Sequence, residues 1–182
     1  MMVIATPEIK TILIPVDGSV HARKAALVGA AIAAKFNARV ILLHVLLRNV
    51  SLAKIYELAR AQKIPPDVLE TFKPIAPAVY DFGLTVPAGI MNPVASTELL
   101  VEIGRRILET EKDVIEGQGV KNVDLAIEDD DAANRILEIT EKEKADFVVM
   151  GRRGLGALEG MLSGSVSTKV SHLAQATVVS VT

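Results

Sequence analysis

The 182-residue chain has no cysteine and no tryptophan, and only 3% of its residues are aromatic. Without cysteine there is no disulfide framework, no thiolate metal site and no cysteine nucleophile, which fits a reducing compartment. The formal net charge is only −2, so the chain as a whole does not attract nucleic acid or an anionic membrane surface. We therefore expect neither a disulfide-stabilised protein nor a nucleic-acid-binding one.

Long apolar runs are also missing. The longest candidate, residues 40–47, has the length of a strand and contains His44. No run reaches the roughly 18 residues of a transmembrane helix. The first ten residues, MMVIATPEIK, are too short and too weakly apolar for a signal peptide. The expectation is a soluble, cytoplasmic protein with no membrane segment.

The residues that are present predict alternating strands and helices. Short apolar runs rich in β-branched residues indicate buried strands at 11–16, 39–46, 146–150 and 176–181. Residues 122–128 alternate between apolar and polar, which favours an edge strand. Helical periodicity fills the gaps, at about 21–36, 96–116, 133–140 and 166–174. With right-handed crossovers this pattern predicts an α/β fold, a doubly wound five-stranded parallel sheet of order 3-2-1-4-5 with helices on both faces.

One segment interrupts this alternation. Residues 48–95 contain six of the eight prolines, and the stretch is too long for a plain loop in a compact domain. We interpret residues 1–182 as one domain with an irregular, proline-rich insertion at about 48–95. A short amphipathic helix at 51–62 is its only expected regular element. The insertion is interpreted as a surface excursion, a lid or a subunit contact.

A glycine-rich stretch follows the fourth strand, and its two parts are separated by nine residues. Gly151 and Gly154 come first, with φ values expected to be ones that other residues resist, and Gly164 follows after the gap. Ser165 and Ser167 offer hydroxyl donors where the next helix begins, and that helix end carries free N–H groups and a positive dipole. This arrangement suits phosphate. Glycine-rich loops also occur without a ligand, and this one is neither a Walker A loop nor a Rossmann fingerprint.

A carboxylate is expected opposite that loop. Asp17 ends the first strand and precedes a glycine turn. Taken alone, its expected role is to cap the helix that follows. In the order 3-2-1-4-5, however, strands 1 and 4 flank the switch point where open α/β sheets bind ligands, so Asp17 faces the glycine loop. Beside a phosphate loop, at least one of Arg152 and Arg153 is expected to contact an anion rather than remain solvated.

The remaining polar candidates have structural interpretations. His21, His44 and His172 have no partners in the sequence that indicate a catalytic triad or a metal pair. The acidic run at 128–131 is interpreted as a solvated charge cluster at a helix N-terminus, which the helix dipole favours.

Three motifs in order resemble a known family. The spacing Gly-x2-Gly-x9-Gly-Ser, met by Gly151, Gly154, Gly164 and Ser165, is the nucleotide signature of the ATP-binding branch of the universal stress protein family. The first strand, ILIPVDGS at 12–19, and the Leu-His-Val of the second are similar to the same family. The resemblance covers about 10–47 and 96–182. The acidic run at 128–131 and the long insertion depart from the family pattern.

The resemblance implies an adenine-nucleotide site. Asp17 would contact the ribose or a metal-bound phosphate, and Met150 would pack beside the nucleoside. Pro15, Val16 and Val45 would line the adenine pocket, with Val45 using its backbone. The phosphates would be surrounded by Gly151, Arg153, Gly154, Gly164, Ser165, Val166 and Ser167. The expected ligand is ATP, ADP or AMP, with Mg²⁺ held through the nucleotide and Asp17.

The implied function is regulation of a stress response by nucleotide occupancy and an unknown partner, without dedicated catalysis. The alternatives are a slow ATPase or nucleotidyl transferase using the same site, and a ligand-free interaction module. The loops of adenylating relatives are absent from the sequence. Residues 176–182 form an apolar, charge-free edge strand. Such an edge invites pairing with another chain, and the family commonly pairs through it, so we expect a homodimer.

Overall fold

The fold is taken from a computed structural model that describes residues 8–72, 94–155 and 164–182. Five strands lie in these ranges: β1 (Thr11–Pro15), β2 (Arg39–Val45), β3 (Val123–Glu128), β4 (Phe147–Gly151) and β5 (Thr177–Val181). The helices are α1 (Val20–Phe36), α2 (Leu52–Ala61), α3 (Pro66–Thr71), α4 (Thr97–Gly117), α5 (Ala132–Lys142) and α6 (Ser165–Leu173). None of these helices combines the length and apolarity needed to cross a membrane.

The strands form one parallel sheet in the order β3-β2-β1-β4-β5. In its register Leu13 of β1 lies beside Ile41 of β2 and Val148 of β4. The predicted fold class and strand order are confirmed. The alternating strand β3 lies at one edge, as its pattern predicted, and β5 lies at the other. The expectation of a buried strand at 176–181 is wrong for the single chain, because every residue of β5 is exposed or half-buried.

The sheet is covered on both faces, and each face has its own core. The α1/α4 core contains Ile12, Ile14 and Leu42, while the α5/α6 core contains Leu13 and Leu43. Neighbouring residues of one strand enter different cores because successive side chains point to opposite faces of a sheet. Strands buried on both sides therefore have the continuous apolar runs seen in the sequence.

The inserted segment is partly regular. Helix α2 confirms the predicted amphipathic helix, and it buries Ile55, Leu58 and Ala59 in the α1/α4 core. The expectation of no regular structure beyond it is wrong for α3. Pro66 is the first residue of that helix, where proline is tolerated because the N–H it lacks would have no helical partner. Residues 73–93 of the predicted insertion lie outside the described residues.

Candidate functional site

The predicted site residues lie where three adjacent strands end. The order β2-β1-β4 places the carboxyl end of β1 between those of its two neighbours. Pro15, Val45 and Gly151 are the last residues of these three strands. Met150 precedes Gly151, and Val16 follows Pro15. The sheet thus forms the predicted switch point, with the β1–α1 turn next to the β4–α6 loop.

Asp17 joins these two loops. Its Oδ1 accepts a hydrogen bond from the Ser19 N–H at 3.0 Å, and its Oδ2 accepts one from the Leu155 N–H at 2.8 Å. The cap of α1 is Ser19, whose Oγ accepts from the Ala22 N–H at 3.1 Å. Asp17 is therefore not the N-cap that its isolated position favoured. Its carboxylate faces the glycine loop, as the strand order predicted.

Gly151 and Gly154 of this loop matter for space rather than for backbone angle. Among the glycines that the structure describes, only Gly18 and Gly119 have positive φ. The expectation of unusual φ values at Gly151 and Gly154 is therefore wrong. A Cβ at Gly151 would lie 2.9 Å from the carbonyl carbon of His21, and one at Gly154 would lie 2.5 Å from Asp17 Oδ2. Gly151 permits a close approach between the end of β4 and the start of α1, and Gly154 permits one between the loop and Asp17.

Helix α6 begins beside the same loop. Gly164, its N-cap residue, has no side chain to accept a hydrogen bond, and the first turn has no acidic residue. The helix's own sequence therefore does not neutralise its positive end. Ser165 is exposed, whereas Ser167 is 3% exposed. The Ser167 hydroxyl lies 2.8 Å from the Arg152 carbonyl oxygen, which also accepts from the Gly164 N–H at 2.9 Å.

The apolar members of the predicted site are mostly buried. Val16 is 3% exposed in the α1/α4 core, while Val45 at 9% and Met150 at 5% belong to the α5/α6 core. Little of these three side chains is available to a ligand. The backbone of the strand ends is what they can offer, as the resemblance implied for Val45.

Three cationic residues belong to, or contact, the described part of the glycine loop. Arg152 and Arg153 are half-buried, and neither forms an ion pair with any residue in the described ranges. A third cation comes from α2, where Lys54 Nζ donates to the Leu155 carbonyl oxygen at 2.6 Å. The sequence pattern does not indicate Lys54, because nothing in the spacing of the inserted segment shows which loop it contacts.

His44 supports the end of β1 from within the core. Its ring is fully buried, and Nδ1 lies 2.8 Å from the Val16 carbonyl oxygen. The carbonyl only accepts, so Nδ1 carries the proton. Nε2 has no hydrogen-bond partner in the described structure. Burial lowers the pKa of His44, and the neutral ring has the structural role expected from the sequence.

The acidic run at 128–131 also has the predicted structural role. Asp131 caps α5 by accepting from the Asn134 N–H at 3.0 Å, and this bond lowers the pKa of its carboxyl group. Asp129 pairs with Arg48. The cluster binds to its own helix end and to nearby cations rather than to the glycine loop.

Two further observations concern metal ligands and a groove elsewhere in the fold. No group of three His, Asp or Glu residues able to hold a metal ion occurs in residues 8–72, 94–155 and 164–182. A groove of about 380 Å³ lies between the C-terminal parts of α5 and α6, and Leu137, Glu141 and Leu173 are among its lining residues. It contains none of the predicted site residues, and it lies where the helices end, away from the carboxyl ends of the strands.

Comparisons with known proteins agree with this architecture. A universal stress protein of Thermus aquaticus is 31% identical over 164 residues, covering 88% of this chain and 90% of that protein. One from Methanocaldococcus jannaschii is 42% identical over 74 residues, which are 41% of this chain and only 43% of that protein.

Solved structures have the same fold. A universal stress protein crystallised in complex with cAMP has a TM-score of 0.58 and 19% identity, with 96% of this chain and 98% of that chain covered. One from Archaeoglobus fulgidus in complex with dAMP has a TM-score of 0.56 and 16% identity at the same coverage. The family model described as universal stress protein family matches residues 8–182. This chain therefore belongs to the universal stress protein family.

Proposed function

We propose that this protein binds an adenine nucleotide in the crevice between the carboxyl ends of β1 and β4. The observation that carries the proposal is the contact between Asp17 and the glycine loop, across 138 positions of sequence. The start of α6 lies on the same loop. A carboxylate for a ribose or a metal-bound phosphate and N–H groups for phosphate are then within one crevice.

The proposed ligand set is the one implied by the family resemblance. Asp17 binds the ribose or a phosphate-bound Mg²⁺, which arrives with the nucleotide. Val45, Pro15 and Val16 contact the base largely through backbone, and Met150 supports the nucleoside. The phosphates are held by Gly151, Arg153, Gly154, Gly164, Ser165, Val166 and Ser167. Ser167 contributes through its backbone, since its hydroxyl lies against the Arg152 carbonyl.

Two crystallised structures of the same fold support an adenine ligand. They were solved in complex with cAMP and with dAMP, which share the adenine base and differ in sugar and phosphate. The common element favours recognition of the base. We propose ATP, ADP or AMP as the ligand of this chain.

The proposed role is regulatory: nucleotide occupancy alters how the protein interacts with a partner in the cytoplasm during stress. We propose no dedicated catalysis. His44, which lies behind the end of β1, is buried and bonded to Val16, and Asp17 already accepts two backbone N–H groups. Neither is placed as a general base for an attacking water.

We also propose that the protein is a homodimer paired through β5. This strand lies at the edge of the sheet, and its residues Val178, Val179 and Val181 are half-buried in the single chain. An apolar edge strand without charge or proline is stabilised when a second chain covers it.

The test is calorimetric titration with ATP, ADP and AMP, preceded by mass spectrometry of any nucleotide released from the purified protein. In Gly154→Val a branched side chain stands against Asp17 and between the phosphate and the loop N–H groups. Affinity is expected to fall at least tenfold, about 1.4 kcal/mol. Gly117→Val is the matched control, because a Cβ there meets nothing within 4 Å.

The outcomes separate the alternatives. Unchanged nucleotide affinity in a folded Gly154→Val variant means that the phosphates are not held by this loop. Multiple turnovers at about 1 s⁻¹ or faster, the low end of ordinary enzyme rates, would replace the regulatory role with an ATPase, provided that Asp17→Ala abolishes them. A protein that binds none of the three nucleotides would instead be an interaction module.

A further inference from the structure

Helix α2 of the inserted segment packs against the β1–α1 turn at the crevice. Its Leu58 and Ile107 of α4 both lie 3.0 Å from the position that a Cβ would take at Gly18. Ile55 and Leu58 hold the helix in the α1/α4 core. The insertion is therefore anchored beside Asp17, and an exposed residue on its first turn can reach the crevice.

Lys54 is that residue. Its ammonium donates to the Leu155 carbonyl at 2.6 Å, while the N–H of the same residue donates to Asp17 Oδ2. Leu155 directly follows Gly154 of the nucleotide signature. The backbone of Leu155 is thus bound at its N–H by Asp17, the carboxylate proposed to bind the nucleotide, and at its carbonyl by Lys54 of the insertion.

The ammonium keeps donors for a further contact. A lysine has three N–H donors, and Leu155 uses one. The side chain is exposed, and Lys54 forms no ion pair in the described part of the chain. Each added phosphate brings negative charge into a crevice that already holds the Asp17 carboxylate. A ligand with several phosphates therefore requires more cations than a monophosphate does.

We propose that Lys54 contacts the terminal phosphate of a nucleoside di- or triphosphate, and that it selects these over the monophosphate. The inference rests on the proposed nucleotide site and assigns to the insertion a part in its specificity. With the base at the ends of β1 and β2 and the phosphates on the β4–α6 loop, each added phosphate extends the ligand along that loop. Leu155 and Lys54 lie there. A lysine binds such an oxyanion as a mobile point charge.

The experiment is calorimetric titration of the unmodified protein and of Lys54→Met with ATP, ADP and AMP at one ionic strength. In Lys54→Met, ATP affinity is expected to fall about tenfold, the scale of one lost charge-assisted contact. AMP affinity is expected to stay within about twofold. Lys54→Arg retains the charge and is expected to restore most of the ATP affinity.

Arg60→Met is the matched control, because it removes a positive charge from the exposed side of the same helix without touching Leu155. Equal losses for ATP and AMP in Lys54→Met would overturn the inference, since Lys54 would then only tether the loop. No loss for either would overturn it as well. If the unmodified protein binds no nucleotide, the proposed function itself fails, and this result is distinct from the other two.

Discussion

Replacing Gly154 by alanine tests the contact on which the site depends. The new Cβ would lie 2.5 Å from Asp17 Oδ2, whereas a carbon and an oxygen pack at about 3.3 Å or more. The carboxylate or the loop must therefore move by roughly 1 Å, and the 2.8 Å bond from the Leu155 N–H is lost at that displacement.

The expected magnitude follows from two opposing effects. A hydrogen bond to a charged group contributes about 1.5–3 kcal/mol net, and the lower end applies because Gly154 is exposed and water can replace the donor. Alanine recovers about 0.4–1 kcal/mol by restricting the unfolded chain, since φ at this position is not positive. The free energy of unfolding of Gly154→Ala should fall by about 0.5–1 kcal/mol.

The assay is urea unfolding followed by far-ultraviolet circular dichroism, because the chain has no tryptophan. Gly154→Ala is measured alone and in an Asp17→Ala background, where the Cβ meets no carboxylate. There the same substitution should stabilise by about 0.4–1 kcal/mol, so its sign reverses between the backgrounds. Gly117→Ala, with open space around its Cβ, should behave alike in both. An equal cost of Gly154→Ala in both backgrounds would refute the contact.

Four further predictions concern the packing of Gly104, the protonation of His44, the Arg23–Glu111 ion pair and the oligomeric state. Gly104→Ala would place a Cβ 2.5 Å from Cδ2 of the fully buried His44 ring, and urea unfolding should show a loss of about 1–3 kcal/mol from overpacking. Burial lowers the pKa of His44 in the folded protein, so as the pH falls the imidazole is protonated in the unfolded chain before it is protonated in the folded one. The unmodified protein should therefore lose stability relative to His44→Gln as pH falls below about 6.5, by up to about 1.4 kcal/mol per pH unit. A stability difference that stays flat between pH 7 and pH 5 would contradict this. Arg23→Met removes the 2.6 Å partner of Glu111, a 3% exposed carboxyl group whose pKa is raised by burial. It should cost about 1–3 kcal/mol at pH 7, and the cost should shrink in acid as Glu111 is protonated. Finally, sedimentation equilibrium at micromolar concentration should give twice the 19.4 kDa chain mass, and a single-chain mass across that range would exclude the β5 dimer.

The sequence by itself determined the order and type of the elements flanking the insertion. Continuous aliphatic runs predicted β1, β2, β4 and β5 to within one residue at each end. Burial on both faces explains the runs of β1, β2 and β4, whereas β5 lies at the sheet edge and its residues are exposed or half-buried. The alternation at 122–128 predicted an edge strand, and β3 lies at the edge. The strand order then placed Asp17 opposite the glycine loop. These features depend on residues close together in sequence, and on the handedness of parallel crossovers.

Only the tertiary structure decided how those residues meet. Gly151 and Gly154 have ordinary backbone angles, and their lack of a Cβ matters because α1 and Asp17 lie against them. Lys54 reaches Leu155 across 101 positions of sequence, through a helix whose pattern indicates only which side is buried. Contacts between residues so far apart depend on how each helix packs on the sheet. Local periodicity indicates which side of a helix is buried but not where on the sheet it packs. The helix beginning at Pro66 was missed for a local reason: its prolines predicted an irregular chain, although proline is tolerated in the first turn of a helix.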